Sequence, residues 1–136
     1  MGWWEKFTKD FKLKINSAED LDVYKRAYEL AMQIFEISKK FPKEERFDLT
    51  NQIRRSSRSV CLNLREAWAK SRYKANFILK LTDCDGENAE TDSSLDFAKD
   101  CGYINLEEHQ KLTSGNCEVG KMLGSMIMNP DSFLIK

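Results

Sequence analysis

Leu49-Thr50-Asn51-Gln52-Ile53-Arg54-Arg55-Ser56-Ser57-Arg58-Ser59-Val60 is the stretch on which the fold is decided. Leu49, Ile53, Ser56 and Val60, continued by Leu64 and Ala67, recur at steps of three and four, the spacing of one face of an α-helix. Asp48 in front of the run reads as its N-cap, and the pattern lasts to about Lys70. At about 100° per residue, Arg54, Arg58 and Arg65 form a second line, with Arg55 beside it, roughly a third of a turn from the apolar stripe. Lys70, Arg72 and Lys74 carry the basic character past the helix end.

Reading towards the N-terminus, a first helix is expected over Ala18 to Lys40, with Ser17 as its N-cap. It has two apolar seams. One is Leu21, Tyr24, Tyr28, Ala31 and Phe35; the other is Val23, Ala27, Leu30, Ile34, Ile37 and Phe41. Two seams suggest burial on two sides, and so an oligomer; the alternative is one broad stripe in a monomer. Phe41-Pro42 ends this helix, because proline disfavours helical geometry in the residue before it, and residues 43–46 can form one turn. Reading towards the C-terminus, a third helix is expected over Tyr73 to Asp100. Its middle, Asp85 to Ser94, is poor in aliphatic residues, so the core there must be small or polar, and Gly86 suggests the close approach of a neighbouring backbone. Gly102 reads as the C′ glycine of that helix. Asn105 with Glu108 resembles a capping box opening a fourth helix, which runs to Met128 before Asn129-Pro130. No strand pattern competes. The expectation is an all-α, antiparallel up-down four-helix bundle over residues 18–129, between an aromatic and basic leader (1–17) and a short tail (130–136). In the leader, Trp3, Trp4, Phe7 and Phe11 alternate with Lys6, Lys9, Lys12 and Lys14. The pattern suits packing on the domain, partner docking or a membrane surface.

With 136 residues and 32% charged residues, the chain has one domain's worth of sequence and a usual composition for a soluble helical protein. No apolar run approaches the ~20 residues of a membrane span, and no signal peptide is evident. Cys61, Cys84, Cys101 and Cys117 are well separated and fall on helices, which points to reduced thiols in a cytoplasm rather than disulfides or a zinc site. Asp83-x-Asp85-x-Glu87 lacks the glycine and closing glutamate of a calcium loop. His109 is the sole histidine and Leu106 stands three residues before it, so a di-iron site is excluded. Cys61 sits on a basic helix that would lower a thiol pKa, but no general base or oxyanion donors accompany it. The expectation is no enzyme, no metal, no cofactor and no small-molecule substrate.

Charge is segregated although the chain is neutral overall. Residues 43–74 hold nine Lys/Arg against four Asp/Glu, and residues 83–108 hold nine Asp/Glu against Lys99. This leaves three uses of the arginines open, one of them the docking of a protein partner. Guanidinium groups on one face can contact successive phosphates of a nucleic acid. They can equally pair with the carboxylates of helix 3, within the bundle or across subunits.

Several short motifs recur in order in one known family. Residues 21–31 (LDVYKRAYELA) resemble its first-helix signature, 41–46 (FPKEER) its first connection and 49–55 (LTNQIRR) its second-helix motif; Asn63, Glu66, Gly86, Glu90-Thr91 and Gly102-Tyr103-Ile104 also fit. Over about residues 20–128 the chain resembles the bacterial four-helix-bundle proteins encoded in intervening sequences of 23S ribosomal RNA genes. That family is related to the accessory variability protein of diversity-generating retroelements. The resemblance implies a left-handed bundle assembled as a ring-shaped homopentamer. It also implies association with RNA or a nucleic-acid-processing protein, with Arg54 and Arg55 at the family's paired basic positions. No catalytic residues carry over. Cys61 stands where many members have proline, so a kink in helix 2 is not expected. Ala67 replaces a frequent glycine, and residues 1–16 have no counterpart in the pattern.

Overall fold

The computed structural model describes residues 17–134. Expectations about residues 1–16 and about the last two residues lie outside the described residues. Among those described, the chain is all-α, with four long helices and no strand: α1 Asp22–Ser38, α2 Leu49–Ala69, α3 Lys74–Asp100 and α4 Leu106–Met128. α1 and α3 each pack against both α2 and α4, so the four surround one core. Residue numbers fall along one helix as they rise along its neighbour. Between α1 and α2 the contacts run from Tyr24–Arg65 to Ser38–Arg54. Between α2 and α3 they run from Ser56–Thr91 to Glu66–Lys80. Between α3 and α4 they include Asn88–Asn116 and Asp96–His109.

Local sequence sets the ends. α1 is shorter than its periodicity suggests. Leu21 is extended (ψ 137°) and buried, and it separates α1 from a 3-10 turn over Ala18–Asp20. Asp20 accepts a hydrogen bond from the Ser17 N–H there, at 3.2 Å. After Ser38 the chain turns, and Pro42 (ψ 150°) leads into a 3-10 turn at Lys43–Glu45. Gly102 has φ +79°, the left-handed conformation that closes α3. The capping box of α4 is formed: Glu108 N–H donates to Asn105 Oδ1 at 2.7 Å, and Asn105 N–H donates to Glu108 Oε1 at 2.9 Å. That hydrogen bond, followed by the bond from Lys40, holds the Glu108 carboxyl below its usual range.

The core is built by Val23, Ala27, Leu30 and Ile34 of α1, Ile53, Val60 and Leu64 of α2, Phe77, Leu81 and Leu95 of α3, and Leu112, Val119 and Leu123 of α4. The second seam of α1 therefore faces the core. Its first seam is split: Leu21 and Ala31 are buried, Tyr24 and Phe35 are half-buried, and Tyr28 is 54% exposed.

The poorly aliphatic middle of α3 is polar inside, as its composition suggests. Asn88, Thr91 and Ser94 are buried there. Gly86 is a correction: it lies exposed on α3 with nothing within 4 Å of an added Cβ, so no backbone approaches it. The close approach is at Gly115 on α4, where a Cβ would meet Leu30 Cδ2 at 2.5 Å and Arg26 Nη2 at 2.8 Å. Gly86→Ala should thus stabilise the fold by about 0.5–1 kcal/mol through helix propensity alone. Gly115→Ala should lose that gain and destabilise by about 1 kcal/mol net through overpacking against buried Leu30. Urea denaturation of the two variants beside the parent chain tests the pair of signs.

Candidate nucleic-acid interface

One residue of α2 is enough to change which helix a side chain meets. Arg54, Arg58 and Arg65 lie on the side facing α1, and Arg55 lies on the side facing α3. The seven basic positions singled out in the sequence therefore fall into three groups.

The first group stacks on the aromatic residues of α1. The Arg54 guanidinium lies 4.8 Å from the Phe35 ring centroid, and that of Arg58 lies 5.6 Å from it. Lys39 Nζ reaches the same ring at 4.8 Å. Cations within about 6 Å of an aromatic centroid are attracted to its electron-rich face. Arg54 is held further: its Nε donates to Ser38 Oγ at 2.8 Å, and that hydroxyl donates to the Phe35 carbonyl at 3.0 Å. Arg65 stacks 5.3 Å from the Tyr24 ring, donates from Nε to the Tyr24 hydroxyl at 3.3 Å and pairs with Glu19 at 3.0 Å. Among the described residues, neither Arg54 nor Arg58 has a carboxylate partner, and Lys39 has Glu36 at 3.2 Å. Three cations thus converge on one ring with a single carboxylate beside them.

Arg55 is spent differently. Its Nη2 pairs with Glu90 at 2.7 Å, and its Nη1 lies 3.6 Å from Glu87 Oε2, a buried oxygen with no hydrogen bond. Burial above all, and then the neighbouring Glu90, raise the Glu87 carboxyl pKa; Arg55 opposes them. The third group marks the end of the bundle. Lys70 and Arg72 are exposed, without an ion pair among the described residues, and Lys74 pairs with Asp131 at 3.1 Å.

The pairing of arginines with helix 3 that the sequence leaves open is thus realised within the chain by Arg55 alone of the arginine line. Lys39, Phe35 and Tyr24 were missed as members of the site. The signal was present in Lys39, one turn after Phe35 and so on its face.

Cys61 departs from expectation. Burial pushes Cys61 up to about 11, with Arg65 opposing it, and pushes Cys84 up to about 12. The charge of Arg65 lowers the Cys61 pKa, but burial of the thiol outweighs it. Cys101 and Cys117 are exposed and free. No group of three or more His, Cys, Asp or Glu side chains among the described residues could hold a metal ion, and no helix among them is long and apolar enough to cross a membrane.

These features define an all-α, four-helix protein that carries part of its basic charge stacked on aromatic rings. It belongs to the 23S rRNA-intervening sequence protein family, whose model matches residues 19–125. It is similar to the crystal structure of a protein of unknown function from the S23 ribosomal protein family of Bacteroides thetaiotaomicron VPI-5482. The two share 31% identity with a TM-score of 0.71, covering 78% of this chain and 95% of that one. Comparison with curated proteins finds no match.

Because the Glu87 pKa is raised in the fold, its stabilising contribution is full below the unfolded value of 4.5 and is lost as pH climbs through the folded value. Glu87→Gln should remove that loss. Its stability relative to the parent should therefore rise between about pH 4 and pH 7, measured by denaturant midpoints across the range.

Proposed function

We propose that this chain is a non-enzymatic protein that binds RNA or a ribonucleoprotein through the α1/α2 face. The observation that carries this reading is the cluster of Lys39, Arg54 and Arg58 on Phe35, with no carboxylate on either arginine among the described residues. Stacking holds the planar groups in place while their edges stay available to phosphate oxygens. Membership of a family named for 23S rRNA intervening sequences supports RNA as the partner. In the same reading the chain is an antiparallel up-down bundle, supported by the opposite ordering of its interhelical contacts. It assembles in a bacterial cytoplasm into a ring-shaped homo-oligomer, a pentamer, and it shares ancestry with the accessory variability protein of diversity-generating retroelements. Of the sequence candidates, Arg54, Arg58, Lys70 and Arg72 contact phosphate. Arg55, Arg65 and Lys74, already paired, serve the fold first.

A second reading has its own observation. Asp85 and Asp92 on α3 have no cation partner among the described residues, and Arg58 has no anion. In an adaptor or scaffold these groups pair across subunits.

The test is binding of a labelled structured RNA to nuclease-treated protein, from about 50 to about 300 mM salt. Arg58→Glu and Lys39→Glu should each weaken binding and flatten the log–log salt slope by about one, with circular dichroism unchanged. Arg55→Glu should instead lower stability by breaking its pair with Glu90. RNA binding untouched by Arg58→Glu, with native mass lost, would overturn the first reading in favour of the second.

A further inference from the structure

α3 presents an unpartnered face to solvent. Leu79, Thr82, Gly86, Ala89, Ser93 and Phe97 recur at steps of three and four, and all are exposed. Leu79 is 59% and Phe97 64% exposed. Such spacing marks the seam of a helix that packs on another helix, yet α3 already buries its opposite face in the core. The seam borders an open groove of about 630 Å³ between α2 and α3, lined by Gln52, Gly86, Ala89, Ser93, Phe97 and the Arg55–Glu90 ion pair among others. Between its two large ends the seam is small, and a Cβ added at Gly86 would meet nothing within 4 Å. Its flanks are acidic: Asp83 and Glu90 on one side, Asp85, Asp92 and Asp96 on the other. Among the described residues, Asp85 and Asp92 have no cation partner.

The chain itself contains a segment with the matching chemistry. Residues 1–16 carry Trp3, Trp4, Phe7 and Phe11 at helical spacing, with four lysines against Glu5 and Asp10. Large rings suit small-lined space, and lysines suit carboxylate flanks. Length and origin agree as well. Ser17 begins the described chain on the α1 side of α2, beside the Glu19–Arg65 pair, and the segment reaches α3 by crossing α2 near its end, shortly before α3 starts. Sixteen residues measure about 24 Å as a helix and about 53 Å fully extended, so a segment with its last residues extended across α2 reaches the Leu79–Phe97 seam, itself about 27 Å long.

We propose that residues 1–16 dock in cis over this outward seam of α3, with their aromatic rings in the α2/α3 groove and their lysines among the α3 carboxylates. Docking covers Leu79 and Phe97 and places basic charge on the acidic helix. It does not draw on the α1/α2 face, so it stands or falls apart from RNA binding.

The experiment is limited trypsin digestion of the full chain, following cleavage at Lys6, Lys9, Lys12 and Lys14 by mass spectrometry, beside Gly86→Arg and Ala89→Arg variants. The open surroundings of Gly86 let the arginine in without disturbing the core, and unchanged thermal melting checks this. Docked lysines are cut only from the open state, so each variant should speed their cleavage by about tenfold or more. Acrylamide quenching gives a second readout: Trp3 and Trp4 should become more accessible in both variants, while Trp68, half-buried on α2, should not change. Equal cleavage rates in the parent and both variants would overturn the proposal. So would protection that fades on dilution, which would mean docking between copies.

Discussion

Between Asp85 and Ser94, α3 has no large aliphatic side chain to offer the core, and the bundle is arranged around that deficit. Its inward positions there are Asn88, Thr91 and Ser94. A buried polar group left unpaired costs about 1–3 kcal/mol, so each of these side chains constrains its neighbours. Asn88 donates to the Asn116 carbonyl at 2.9 Å, and Asn116 donates back to the Asn88 carbonyl at 2.8 Å. Thr91 meets the Ser56 hydroxyl at 2.8 Å. The exchange between α3 and α4 demands close helices, and Gly120 of α4 allows it: a Cβ there would lie 3.3 Å from Asn88 Nδ2. Gly115 does the same towards α1, where a Cβ would collide with Leu30. A one-residue slip of α3 would turn these groups by about 100° and leave them unpaired, so the polar layer holds the register more strictly than leucines would.

The rotation of α2 follows from that layer. With Ser56 tied to Thr91 and Ile53, Val60 and Leu64 inside, Arg54, Arg58 and Arg65 have only the α1 side available, and Arg55 only the α3 side. The division of the basic residues into stacked and ion-paired groups is thus a consequence of the core. The same geometry explains Cys61. It shares a side of α2 with the arginines but sits deeper, so burial outweighs the charge of Arg65.

Element limits were legible because local chemistry sets them. The Asn105/Glu108 box, Gly102 and Pro42 each act within a few residues, and the expected helices match within a residue or two except at the start of α1. There Leu21, counted as part of a helical seam, is extended, because its burial at the bundle end outweighs helical continuity. Gly86 was misread for a different reason. Propensity singles out Gly86 as costly, but direction decides what a glycine faces. Gly86 stands 140° from Leu81 and points outwards, whereas Gly115 falls on the line of Leu112 and Val119. Charge counts likewise showed a basic and an acidic stretch but not the stacking on Phe35 and Tyr24, which depends on the distance between two helices. The two seams of α1 read as burial on two sides; part of the first lies beneath the chain's own arginines.

A net charge of zero is a weak guide to what such a molecule meets. At physiological salt a surface charge is felt over about 8 Å, while a bundle two helices across measures about 20 Å. A polyanion approaching the α1/α2 face therefore senses Lys39, Arg54 and Arg58 far more than the carboxylates on the outward side of α3. Within that face the choice of arginine matters. Ammonium groups would remain strongly hydrated, and three of them around one ring would repel each other through water. A guanidinium over Phe35 is attracted to the electron-rich face of the ring and still has edge donors for an anion. Part of the mutual repulsion is thus carried by the fold, and an incoming anion that relieves the remainder would bind more tightly for it.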